Sequence, residues 1–171
     1  MALTLDKLTR QVAAGLEPGE VVVAACRVMP EGAAGEFIFQ ATRFAGGASG
    51  YVVNRKMAAG MLGGLPDQER DAAQTVGFPL APQLLLVLSD RRFMVWAVAK
   101  FSSKATELLG AVPLEELAGV ERGEGKLVSS TVPRLALRFR GGQELGLLAA
   151  RPHTALLDEL ATAIDARLSP E

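Results

Sequence analysis

Apolar residues Leu5, Leu8, Val12 and Leu16 recur at steps of three and four, the spacing of a single helical stripe. Gly15 and the pair Pro18-Gly19 end it, so a helix is predicted within 1–18. The next run, 20–29, is continuous and rich in β-branched residues, which predicts a buried strand stopped by Pro30. A turn over 31–35 and a further strand over 36–44 follow. The pattern then weakens. Glycines surround an apolar small-residue segment at 51–62, read as a helix, and a polar helical stretch at 67–75 follows Pro66. Pro79 and Pro82 end that region, so about 30–82 reads as a Gly-rich, partly helical insertion between strands.

The second half is a meander. Apolar runs at 83–88 and 93–99 flank Ser89-Asp90-Arg91-Arg92, which predicts a hairpin with a four-residue turn. Strands follow at 106–112, stopped by Pro113, and at 117–121, with a turn at Gly123-Glu124-Gly125 and an extension over 126–131. Leu135, Leu137 and Phe139 then alternate with polar or small residues, as do Leu145 and Leu147. A two-residue Gly141-Gly142 loop would set Phe139 opposite Glu144 and put an apolar face against a polar one. A three-residue turn, Arg140-Gly141-Gly142, pairs Leu137 with Leu145 and Leu135 with Leu147, so Gly142 is expected at positive φ. Finally Pro152 opens a helix to residue 168. Leu156, Leu157, Leu160, Ala161, Ile164 and Leu168 line one face.

The fold class expected is α+β, mainly β, in a single domain over 1–171. The string Leu86-Val87-Leu88-Ser89-Asp90-Arg91-Arg92-Phe93-Met94-Val95 resembles the LxLTDRRLLV hairpin of bacterial PH-like and GRAM-like domains. Residues 109–120, with Val112-Pro113-Leu114-Glu115-Glu116-Leu117, are similar to a second segment of those domains, and 135–148 to their last hairpin. The resemblance spans about 82–168. It implies a bent antiparallel barrel of about seven strands over 20–168, capped by the helix at 152–168, with no enzymatic activity. Eukaryotic relatives carry a basic phosphoinositide signature in the first loop. Here Arg43, Arg55 and Lys56 lie far apart in that loop, so inositide binding is not supported.

Composition narrows the function classes. Eighteen Lys plus Arg against 19 Asp plus Glu argues against a nucleic-acid binder. One cysteine, Cys26, excludes an internal disulfide and fits a reducing compartment. No apolar run reaches 18 residues and the first residues lack the pattern of a signal peptide, so a cytoplasmic protein is expected. Abundant Gly and Ala, with Arg favoured over Lys, hint at a bacterial source.

Candidate chemistry is sparse. Arg91 and Arg92, beside Asp90, are candidates to grip an anion or a partner, against a structural role in the turn. Lys100 and Lys104 join them, with Arg138 and Arg140 read as a solvated basic face. The strand 93–99, with Met94 and Trp96, is apolar on both faces, so something should cover its outer side. The N-terminal helix or the insertion is one cover and a partner subunit the other, the latter giving an interface at Trp96, Met94, Tyr51 and Met61. Tyr51, Met57, Met61 and Leu62 in the insertion are alternatively a membrane-surface contact. Cys26 reads as a small buried hydrophobe. His153 is the only histidine, which leaves a zinc site or a catalytic base without its usual companions. Neither Glu115-Glu116 nor Asp158-Glu159 has the geometry of an acid/base dyad. The expectation is therefore a non-enzymatic module with no metal and no cofactor, acting on a protein partner or on itself, with peripheral membrane binding as the alternative.

Overall fold

A computed structural model describes residues 3–31, 73, 78–99, 104–127 and 129–169. The strand read over 36–44, the helices read over 51–62 and 67–75, and Tyr51, Met61 and Lys100 lie outside the described residues, apart from Ala73.

The first helix, α1 (Leu5–Val12), starts at Thr4, whose hydroxyl accepts the Lys7 N–H at 3.4 Å. A 3-10 turn, Ala13–Gly15, replaces the helix predicted to run on towards 18. Seven strands follow among the described residues: β1 (Val22–Pro30), β2 (Leu84–Ser89), β3 (Phe93–Val98), β4 (Ala105–Val112), β5 (Leu117–Leu127), β6 (Ser130–Phe139) and β7 (Glu144–Leu148). A 3-10 turn, Arg151–His153, leads into α2 (Thr154–Leu168). All pairings are antiparallel, in the spatial order β4-β3-β2-β1-β7-β6-β5. The described residues are thus mainly β, with α1 and α2 at their two ends. The sheet does not close: among the described residues β4 and β5 are its two edges. Pro113, with no N–H to give a ladder, ends β4, and the 3-10 turn Leu114–Glu116 carries the chain away before β5 begins.

The last hairpin has the register that alternation demanded. Leu137 faces Leu145 and Leu135 faces Leu147. Gly142 sits at φ 89°, and the Phe139 N–H donates to the Gln143 carbonyl at 2.9 Å. β1 ends at Pro30, as the sequence predicted; it pairs with β2 as far as Val28↔Leu84 and with β7 at Met29↔Leu148 and Pro30↔Leu147. Only two residues pair with β7, so the missing N–H of Pro30 is tolerated, and Glu31 N–H donates to Gly146 O at 2.9 Å. One expectation needs correction: Gly123-Glu124-Gly125 is not a turn. β5 runs straight through it, and the hairpin closes after Leu127, where that residue pairs with Ser130. Gly125 serves a close approach instead: a Cβ there would overlap Leu148 Cδ2.

α1 and α2 take opposite faces of β1. Ala25 and Arg27 share a face with their register partners Val87 and Leu85, and across β2 with Met94 and Trp96. The N-terminal segment lies on that face: Gln11 reaches Arg27, and Gly15 lies against the Trp96 ring so closely that a Cβ would overlap Cη2. Cys26 and Leu86 point the other way, towards α2, which buries Leu156, Leu157, Leu160, Ala161 and Ile164. Phe78, just before β2, meets Phe139 edge to face at 6.4 Å between ring centroids. The two-sided apolar strand β3 is therefore covered by the chain itself. Met94 is wholly buried and Trp96 is 6% exposed, so neither presents surface for a partner.

Candidate functional site

The arginines singled out in the β2–β3 turn serve the fold. Arg92 forms a two-pronged pair with Glu20, Nε to Oε1 at 3.0 Å and Nη2 to Oε2 at 2.9 Å. Ser89 Oγ donates to Glu20 Oε1 at 2.6 Å, and the Glu17 N–H to Oε2 at 2.8 Å. These bonds, that of Arg92 foremost, hold the buried Glu20 carboxyl down at about 2, against the opposing effect of burial. Arg92 Nη2 also donates to the Gly15 carbonyl at 2.9 Å, tying the turn beneath Trp96. Arg91 pairs with Glu17 at 3.1 Å, and Asp90 Oδ1 accepts the Val21 N–H at 2.9 Å. From α2, Arg167 donates to the carbonyls of Asp90 and Ser89. Lys104 is exposed, and its carbonyl accepts the Ala99 N–H.

The outer face of β5 to β7 is likewise internally matched. Arg138 pairs with Glu121 and Glu144, and Arg134 with Glu144 and Glu31. Arg140 Nε donates to the Glu115 carbonyl at 2.6 Å. A shallow groove of about 350 Å³ between β5, β6 and the start of α2 carries Arg122, Arg134 and Arg151. Arg122 is held by Asp158 and by Thr162 Oγ1, and Arg151 Nε by the Thr131 carbonyl at 3.0 Å.

One cationic side chain is different. Arg27 is the lone charge inside the apolar run Val21–Met29, a signal visible in the sequence that its apolar surroundings concealed. It stands where β1 forks, leaving β2 to join β7. A pocket of about 150 Å³ fills the fork, lined by Arg27, Gln83 and His153 together with aliphatic Val28, Leu84 and Val98. Among the described residues no carboxylate pairs with Arg27. Its Nη2 makes one long bond, 3.4 Å, to Gln11 Oε1, and its buried Nε has no partner. His153 Nδ1 is also buried without a partner. Burial, then the Arg27 charge, pushes the imidazole below its ordinary range, so it is neutral at pH 7. A buried polar atom left unpaired costs on the order of 1–3 kcal/mol. Both residues line the same pocket.

Cys26 lies under the same fork, with Sγ 3.9 Å from the His153 carbonyl oxygen. Burial first, and the Asp158 charge second, push its thiol up to about 12. No group of three His, Cys, Asp or Glu side chains among the described residues could hold a metal ion. No helix among them is long and apolar enough to cross a membrane.

No family model matches the chain, and no curated protein matches it. Among solved structures, the hSac2 domain from human phosphoinositide phosphatase Sac2 aligns over 99% of this chain and 88% of that one, at 12% identity and a TM-score of 0.43. A likeness at that level transfers neither family nor activity.

Proposed function

We propose that the chain is a PH-like, non-enzymatic interaction module that associates with a second copy of itself through β5. The PH-like reading is supported by the order of elements: a meander whose first strand serves both halves, then a C-terminal helix against β1 and β5. The non-enzymatic reading is supported by the un-ionised Cys26 thiol and by a histidine whose Nδ1 activates no hydroxyl or thiol among the described residues.

The observation that carries the association is the edge itself. β5 has eleven residues, roughly 35 Å of strand, and Glu121, Arg122, Gly123 and Glu124 are all exposed along its middle. An unpaired edge is a template for another strand. Two copies paired antiparallel about Gly123 would set Arg122 of each opposite Glu124 of the other. A matched cross-strand pair adds roughly 0.2–1 kcal/mol, and a like-charged pair subtracts as much.

Light scattering on size-exclusion fractions tests this. The unaltered chain is expected as a dimer. Glu124→Arg and Arg122→Glu, each alone, put like charges opposite one another and should give monomers. An equimolar mixture of the two variants restores both pairs and should restore the dimer. A monomeric unaltered chain at high concentration, or variants that dimerise unchanged, removes the proposal.

A further inference from the structure

We propose that the fork of β1 is a binding site for a carboxylate carried on a short aliphatic stem. The site is independent of the β5 edge and lies elsewhere on the sheet.

The donors come first. Arg27 offers a buried Nε–H without an acceptor and an Nη2 whose one bond is long, the planar pair of N–H groups that fits a carboxylate side-on. His153 brings a second unpartnered nitrogen to the same pocket, and Gln83 lines it too. Among the described lining residues there is no Asp or Glu. Arg122, Arg134 and Arg138, by contrast, each have a carboxylate within ion-pair distance.

Size and lining then limit the ligand. A cavity of about 150 Å³ is close to what accommodates a benzene molecule, and well below the roughly 300–1,000 Å³ of sites that enclose a whole drug-sized ligand. It takes a terminal group. Among the described residues, Val28, Leu84, Val98 and Leu148 make the remaining wall apolar, which suits a short hydrocarbon stem and disfavours a phosphate, whose third and fourth oxygens would meet methyl groups. Such a carboxylate arrives either as a free short-chain acid or as the C-terminus of a peptide. Arg27 fixes its two oxygens, and the unpartnered His153 nitrogen lies in the same pocket wall.

Nuclear magnetic resonance on the intact chain reads this directly, because the Arg27 Nε–H and the ring of the only histidine report on the two donors. The probes are sodium butyrate, a short peptide ending in a free valine carboxylate, the same peptide amidated, and inorganic phosphate. Saturable shifts at both Arg27 Nε–H and His153 are expected with butyrate, with the free-carboxylate peptide, or with both; which one saturates identifies the source. The amidated peptide should leave both signals in place. Arg27→Met should weaken the interaction at least tenfold, while the shifts in the unaltered chain localise the site even if that variant fails to fold. The proposal is overturned if neither carboxylate gives a saturable shift at these signals at roughly 50 mM, where a site of about 1 mM Kd would be filled. It is equally overturned if phosphate binds more tightly than both.

Discussion

Replacing Glu20 by Gln tests how the β2–β3 turn is anchored. The variant keeps the shape of the side chain and one acceptor oxygen but removes the charge that Arg92 grips with two N–H groups. The folded-state carboxyl is held at about 2 against an ordinary 4.5. A carboxyl lowered that far contributes roughly 3 kcal/mol at neutral pH. Removing one partner of a buried ion pair costs about the same, 3–5 kcal/mol, because the other charge is left behind. Arg92 retains some solvent access, so the lower end applies.

The sign of the pH dependence follows from the direction of that shift. A depressed folded-state pKa stabilises fully above the unfolded value, 4.5, and the contribution is lost as pH falls towards 2. The expected gap between the unaltered chain and Glu20→Gln is therefore about 3 kcal/mol at pH 7 and about 2 kcal/mol smaller at pH 3. Urea unfolding followed by far-ultraviolet circular dichroism at pH 7, 5 and 3 measures it. A gap under 1 kcal/mol at pH 7, or one that stays constant down to pH 3, would refute the anchoring role.

Three further outcomes are expected. Gly15→Ala places a Cβ inside the Trp96 ring, and overpacking of this kind costs roughly 1–3 kcal/mol; since Trp96 is the only tryptophan, its fluorescence should shift to the red, and unchanged emission with unchanged stability would count against that contact. Gly142→Ala puts a side chain at φ 89° and should lower stability by about 1–2 kcal/mol without altering the fold, as read by thermal melting; no loss would mean the turn relaxes to another form. Cys26, with its thiol near 12, should react with a thiol reagent at pH 8 only as the chain unfolds, thousands of times more slowly than an exposed cysteine, and rapid labelling of the native protein would show that the fork opens.

What was legible in the sequence depends on how local the cause is. The last hairpin was readable because its register rests on side-chain parity within a dozen residues. The C-terminal helix was readable from one apolar stripe. The strand carrying Trp96 announced, by being apolar on both faces, that it needed a cover, and the cover is the turn at Gly15. Non-local causes were not readable. Arg92 had the look of a free anion-binding residue because its partner, Glu20, lies 72 residues away in the chain. Gly125 had the look of a turn because its reason for being glycine is Leu148, on a strand that β5 does not pair with.

The change of partner along β1 makes the candidate site. β1 lies between β2 and β7, pairing with β2 along one edge as far as Val28↔Leu84 and with β7 along the other edge at Met29↔Leu148 and Pro30↔Leu147, so neither neighbour follows its whole length. The gap opens at the residues next to the switch, and Arg27 is one of them. Arg27 lies on the face covered by α1, where Gln11 takes its Nη2 and no carboxylate among the described residues offsets its burial, so the Nε edge of the guanidinium is unused. The neighbouring aliphatic residues would be ordinary core anywhere else in β1 and β2. Set around that guanidinium, they become the wall that limits a ligand to a small terminal group, so the geometry that joins the two halves of the sheet also selects what can bind between them.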